Sequence, residues 1–270
     1  MKLLYTKLLV MLFAIVAFIG VTSESAFAEG EVDWSRNVVR ATAIGIAPPN
    51  AVNQAQAVAM AKVAARAIAQ RDLLATIKGI NINSETTVEN MIATSDVIRT
   101  QVNGVLVGAV EVAGREISGG YEVTMEVPLF GTGNSIAKAV IPQPQTIETF
   151  PTPTVSVPSS GGYTGLIVDC RGLGLKPVMS PVIKNDSGQP IYGYKNLDYD
   201  KVISQGMASY SYNINSGVER AGSNPLIVKA VSLEGVYRGN PVVSVSDANR
   251  ILAENSVSHF LESTNVVFIR

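Results

Sequence analysis

The stretch from Gly45 to Gly79 constrains this chain more than any other. Pro48-Pro49-Asn50 ends the extended segment before it, since proline cannot donate to a strand ladder, and Asn50 can cap a helix by accepting from a free N–H. From Ala51 the spacing is helical. Val52, Ala55, Ala59, Val63, Ala67, Leu74 and Ile77 recur at three- and four-residue steps, with Gln70 interrupting. Gly79 supplies a stop. This apolar set is mostly alanine, so it predicts a long helix that lies close against a sheet. Lys62, Arg66 and Gln70 form a polar stripe at four-residue spacing on the same helix. The stripe suits contact with an anionic lipid or polysaccharide, and equally suits a solvated helix face.

Around the helix the pattern changes to period two. Asn37 to Ile46 reads as a strand, and the only tryptophan, Trp34, precedes it as a cover for the edge of a core. Ile80 to Val88 alternates, with Ile80, Ile82, Ser84, Thr86 and Val88 on one side, which predicts a half-exposed strand. Ser95 or Asp96 caps a short helix through Asn103. Val105 to Glu116 and Tyr121 to Leu129 form a hairpin around Ser118-Gly119-Gly120. In its second strand Tyr121, Val123, Met125, Val127 and Leu129 face in, and Glu122, Thr124 and Glu126 face out. Residues 29–140 thus predict a β-α-β-α-β-β order, a two-layer α/β sandwich.

Residues 141–162 break the pattern. Pro142, Pro144, Pro151, Pro153 and Pro158 favour extended polyproline backbone, and Ser159-Ser160-Gly161-Gly162 ends the run, so a semi-rigid spacer with a flexible end is expected. Residues 163–270 read as a second small α/β domain. Strands are expected over Leu166–Cys170, Val178–Ile183, Pro190–Gly193, Leu226–Glu234 and Pro241–Val245. A short helix is expected over Leu197–Met207, and another from a Ser246 cap through about Asn255. Val266–Ile269 is a continuous apolar run, which predicts a closing strand covered on both faces. The fold class is therefore α/β (α+β), with two small sandwich domains on a proline-rich linker.

Residues 1–28 have the pattern of a secretory signal: Lys2 and Lys7, an apolar run from Leu8 to Gly20, and Ala26-Phe27-Ala28 as a small-x-small cleavage site. The run is short for a membrane span, which needs about 20 residues. No cysteine lies near the cleavage site, and no twin-arginine pair precedes the run. A periplasmic or secreted chain without a further transmembrane segment is expected. Cleavage would remove two lysines and one glutamate, leaving nineteen basic against twenty-one acidic residues. That balance excludes a basic field and argues against nucleic acid as a partner.

The chemistry-bearing residues are sparse. One histidine, His259, and one cysteine, Cys170, cannot build a nucleophilic triad or an ordinary zinc site, so no cofactor, metal or catalytic residue is assigned. Cys170 lies in an apolar run and reads as a small buried residue. The best ligand-binding candidate is Asp169-Cys-Arg171-Gly-Leu-Gly-Leu-Lys176-Pro177, where Asp169, Arg171 and Lys176 follow a strand. It is not a dinucleotide fingerprint, because Pro177 takes the slot of the third glycine. The alternative is an Asp169–Arg171 pair bracing a tight turn.

Gly45, the Ala-rich helix with Arg66 and Arg71-Asp72-Leu73, and Ile77-Lys78-Gly79-Ile80 leading into a polar segment resemble the LPP20 lipoprotein family. The amino-terminal domain of the flagellar T-ring protein has a similar plan. The resemblance covers about residues 38–129 and lacks the family's lipid-bearing cysteine. It implies a non-catalytic envelope protein, associated with the outer membrane or a flagellar collar, that acts with protein partners or as a homo-oligomer. The rival expectation is a soluble periplasmic module that binds a small molecule or glycan through the second domain.

Overall fold

A computed structural model describes residues 30–270, apart from the side chains of residues 217 and 218. The expected export signal lies outside the described residues. The chain is a mixed α+β protein of two lobes.

In the first lobe β1 (Glu31–Asp33) and β2 (Val38–Ile46) precede a helix of 25 residues, α1 (Gln54–Lys78). Two shorter helices follow, α2 (Val88–Thr94) and α3 (Asp96–Val107), then a hairpin of β3 (Val110–Ile117) and β4 (Gly120–Pro128), and α4 (Ile136–Val140). The strands form one antiparallel sheet in the order β1-β2-β4-β3. Helix α1 lies across β2 and β4. The opposite face of the sheet is polar: Arg36 and Arg40 converge on Glu126 at 3.1 and 2.9 Å, and the Thr42 and Thr124 hydroxyls meet at 2.8 Å. Glu126 is outward, as the alternation predicts, yet the two guanidinium groups bury it.

Two expectations for α1 need correction. Its cap is Asn53, whose side chain accepts from the Gln56 N–H at 2.9 Å, because Asn50 is still in the turn begun by Pro48. Its buried face is Ala61, Ala65, Ala69, Leu73 and Ile77. Val52, Ala55, Ala59, Val63 and Ala67, expected inside, are exposed. The choice between the two faces is made by the sheet. Gly45 on β2 lies directly under the helix, and a Cβ there would fall on the Ala61 carbonyl and the Ala65 N–H. Alanines at 61 and 65 permit that approach; the larger Val63 would not.

The order is also not β-α-β-α-β-β, since β1 precedes β2 and residues 80–88 form no strand. The alternation within that segment is real: Ile80, Ile82, Ser84 and Val88 are buried. Asn81 and Thr87 make a single antiparallel bridge, the Ile82 and Val88 N–H groups bond within the segment, and three of its carbonyls reach the second lobe. The Asn81, Ile82 and Ser84 carbonyls accept from Met179, Ser180 and Tyr237 N–H groups at 3.0, 2.7 and 2.9 Å. A period of two reports alternating burial, and here a partner loop rather than a sheet supplies it.

The second lobe holds two four-stranded sheets where a single two-layer sandwich was expected. One is all parallel, with β8 (Ser209–Ser211), β12 (Val266–Ile269), β5 (Gly165–Asp169) and β9 (Pro225–Lys229) side by side in that order. The other runs β10 (Ser232–Glu234), β11 (Asn240–Val243), β6 (Ile183–Asn185), β7 (Pro190–Tyr192). Helices α5 (Tyr199–Gln205), α6 (Ile214–Ala221) and α7 (Val245–Ser258) pack around them. The expected strand from Val178 begins only at Ile183, because the Val178 N–H and carbonyl are both taken by the Tyr210 hydroxyl at 3.0 and 2.8 Å. The expected strand 226–234 splits at Ala230-Val231 and serves both sheets. Ser244, not Ser246, caps α7, accepting from the Asp247 N–H at 3.0 Å.

Residues 141–162 form neither helix nor strand, as their prolines favour, but they are not a spacer. Glu148 donates its N–H to the Lys195 carbonyl at 2.8 Å, Phe150 stacks on buried Tyr192 with centroids 6.3 Å apart, and Thr154 donates to Asn249 at 2.7 Å. The run is a strap over the second lobe. The lobes themselves share one continuous apolar core, from Val39 to Phe268, and Trp34 packs edge-on against Tyr210 at 5.5 Å.

Two outcomes follow from this packing. Gly45→Ala or Ala65→Leu forces backbone apart and should cost about 1–3 kcal/mol, whereas Ala59→Leu on the exposed side should stay within about 0.5 kcal/mol; urea melts of the three variants check it. Deleting Val266–Arg270 removes a strand whose four side chains are fully buried between β8 and β5. At roughly 1.5–3 kcal/mol for each apolar side chain, the loss rivals a whole domain's stability. The truncated chain should lose its cooperative melt, and a folded, protease-resistant product would show that β12 is dispensable.

Candidate functional site

The loop after β5 carries the ligand-binding residues expected from sequence. Gly172 and Gly174 both take positive φ, 80° and 75°, which side chains resist, so the glycines are required by the turn itself. Arg171 folds back on Asp169: its Nε donates to Oδ1 at 2.9 Å, its terminal nitrogen to Oδ2 at 2.6 Å, and its backbone N–H to Oδ1 at 3.1 Å. These bonds, the side-chain one foremost, hold the Asp169 carboxyl below the usual carboxylate range against the upward push of burial. Lys176 is exposed, and its side chain makes no hydrogen bond or ion pair among the described residues. The structure therefore pairs Asp169 with Arg171 and leaves Lys176 outside the pair. The arrangement braces a turn and leaves the carboxylate little capacity for a ligand.

The stripe on α1 is also engaged. Lys62 Nζ lies 2.9 Å from Glu111 Oε1 and 5.0 Å from the Tyr121 ring centre, and Arg66 reaches Glu111 Oε2 at 2.5 Å. The hydrogen bond from Lys62, then that from Arg66, lowers the Glu111 carboxyl's pKa despite its partial desolvation. Lys62 and Arg66 thus fasten the shoulder of α1 to the β3–β4 hairpin. Gln70 is half-buried and joins neither.

Sequence reasoning missed the surface that remains open. Val52 is 85% exposed, Val63 67% and Met60 44%, and Ala55, Ala59 and Ala67 lie exposed with them. Ala59, Met60, Val63 and Ala64 line a shallow apolar depression on this crest. From Ile46 to Ala61 the chain has no charged residue. The helix is apolar on both sides, which hides the exposed one from any periodicity count. The usable signal was the pairing of Gly45 with small residues at 61 and 65.

Other groups with chemical potential are built into the fold. Cys170 is fully buried, and burial, with Asp169 adding to it, pushes its thiol up to about 12, so it is inert at neutral pH. His259 ends α7 with a left-handed φ of 52° and stands exposed, 3.4 Å from Glu262. Among the described residues no group of three or more His, Cys, Asp or Glu could hold a metal ion. Arg220 donates to the Thr264 carbonyl at 2.7 Å, the Gln205 carbonyl at 2.8 Å and the Ser209 hydroxyl at 3.3 Å, bolting α6 to the start of β8 and the turn before β12.

Glu254 on α7 latches the strap. Burial pushes its carboxyl up, but the N–H groups of Ser160 and Gly161 and the hydroxyls of Ser159 and Ser160, at 2.9–3.3 Å, outweigh this and leave it lowered. A depressed carboxyl contributes stability above its unfolded-state pKa and loses it as pH falls through the folded-state value. Glu254→Gln should therefore lower the urea midpoint at pH 7, with the gap to the parent narrowing as pH falls through the acid range. A gap independent of pH would show that the charge does not matter.

A family described as the second domain of Treponema pallidum Tp0624 matches residues 165–270. The match runs from the first residue of β5 through β12, so the second lobe is similar to a unit found in another protein. A search of curated proteins found no match to the chain. No helix among the described residues is long and apolar enough to cross a membrane.

Proposed function

We propose that the chain is a non-catalytic assembly module of the cell envelope whose contact surface is the crest of α1. One observation carries the proposal: a long helix rigidly held on a sheet shows solvent an apolar, largely uncharged side. A soluble helix normally turns charged residues outward, and an apolar exposed face marks an interaction site. The export pattern of residues 1–28 and the LPP20-like plan of residues 38–129 support the envelope address, with an outer-membrane or flagellar collar as the setting. The rival reading, a soluble module that binds a small molecule or glycan at Asp169, Arg171 and Lys176, has less support, because Arg171 already occupies the Asp169 carboxylate.

A photo-crosslinking residue at position 63 tests the reading in cells that export the chain. Adducts of discrete mass should form from position 63, and not from position 195, whose lysine is equally exposed but lies in the second lobe. Equal labelling from both positions, or none from 63, would overturn it.

A further inference from the structure

We propose that the end of the first lobe, where the β2–α1 turn meets the β3–β4 turn, inserts its apolar side chains into the surface of a neutral lipid bilayer. The proposal rests on the envelope address, which brings the chain beside a membrane, and not on the crest, which lies further along α1. The two turns are neighbours: the Ala47 N–H donates to the Gly119 carbonyl at 2.9 Å. Ile46 is 78% exposed and Val52 85%, and Pro49 is exposed between them. Ile44, on the same side of β2 as Ile46, is exposed too. No charged residue lies in either stretch, 45–61 or 117–121. The backbone is also fitted to an apolar medium, where an unbonded N–H is costly. Pro48 and Pro49 have no N–H, Ala51 donates to the Pro48 carbonyl at 3.3 Å, and Val52 donates to Gln56 Oε1 at 2.7 Å. From Ala47 to Val52 only the Asn50 N–H lacks a partner among the described residues.

Charge selects a neutral surface over an anionic one. The cations that flank the two stretches in sequence, Arg40, Lys62 and Arg115, are already paired with Glu126, Glu111 and Glu122 at 2.9, 2.9 and 2.6 Å. Glu116, next to the second stretch, is exposed, and its side chain makes no ion pair among the described residues. Anionic lipid is drawn by clusters of free lysine and arginine, and this end presents a free acid instead. A protein partner suits it less. Protein contacts take most of their energy from Trp, Tyr and Arg anchors seated in pockets, over roughly 800 Å² per side. This end offers separate aliphatic side chains on two turns, and its one aromatic ring, Tyr121, is turned in beneath Lys62. A bilayer interface asks for apolar side chains that reach about 5–10 Å into the boundary between headgroups and acyl chains. So few side chains give a weak, reversible attachment.

Flotation with phosphatidylcholine vesicles tests the proposal on residues 29–270, which keeps the apolar run Leu8–Gly20 out of the measurement. The chain should float, no better when part of the lipid is phosphatidylglycerol. Ile46→Asp/Val52→Asp should lower the partition coefficient at least about tenfold, because its apolar insertion is lost. Val107→Asp should leave it unchanged: that valine is 81% exposed but precedes β3, at the other end of the strand from the turn. These positions are exposed, so the variants should melt like the parent; if the double variant does not, Ile46→Thr/Val52→Gln replaces it. A solvatochromic dye on Val52→Cys should shift to the blue when vesicles are added, and the same dye on exposed Lys195→Cys should not, while buried Cys170 stays unlabelled. A chain that does not float, one that floats only with anionic lipid, or a partition indifferent to the tip aspartates overturns the proposal. Crosslinks from position 63 report the crest separately, so the failure of one reading is told apart from the failure of the other.

Discussion

The close approach of α1 to β2 at Gly45 is the contact on which the rest of the structure depends. A glycine on the strand and alanines at 61 and 65 on the helix let two backbones meet where any side chain would hold them apart. This fixes the helix's rotation, and with it the burial of Ala69, Leu73 and Ile77 further along. It also fixes where α1 ends. Ile80 to Thr87 leaves that end and presents its carbonyls to the second lobe, so the seam between lobes inherits its position from the helix. The tight packing of Gly235 and Gly239 around Ser84 continues the same device, small residue against small residue, across the seam.

The second lobe is organised differently. Its parallel sheet is filled at the centre by β12, the last strand in the chain, so its core closes only when the whole lobe is in place. Arg220 then ties α6 to two separate stretches through carbonyls and hydroxyls, a use that suits a guanidinium because its donors fan out in a plane. Outside these layers the strap carries its prolines where no ladder needs their N–H groups, and directs other donors to the Lys195 carbonyl, Asn249 and Glu254.

Much of the architecture was legible in the residues. The long helix, the β3–β4 hairpin with its inward Val123, Met125 and Val127, and the buried run at 266–269 all follow from spacing. What was not legible depends on partners distant in sequence. Residues 80–88 alternate because the loops near 179 and 237 face them, and nothing local separates that from a strand. The five prolines predict a segment without helix or ladder, and its docking depends on Tyr192, Lys195, Asn249 and Glu254. At the candidate sites, Asp169 and Arg171 were recognised as a pair, and Lys62 and Arg66 as a stripe, while Glu111, which engages the stripe, could not be read from the helix alone.

The crest of α1 is a feature that packing does not require. Leu73 and Ile77 are large because a core surrounds them, and Ala61 and Ala65 are small because Gly45 lies beneath. Met60 and Val63 meet neither condition. Lysine, glutamate or glutamine there would keep helix propensity as high or higher, since valine loses side-chain freedom in a helix. Charged residues would also improve solubility at no cost to the fold. An exposed valine at the middle of a rigid helix is thus worse for the isolated chain on both counts, and becomes favourable only where another apolar surface covers it. The shoulder reinforces this: Lys62 and Arg66 are turned aside to Glu111, which keeps their charge off the crest. The same contact that positions the helix therefore clears the surface that the helix presents.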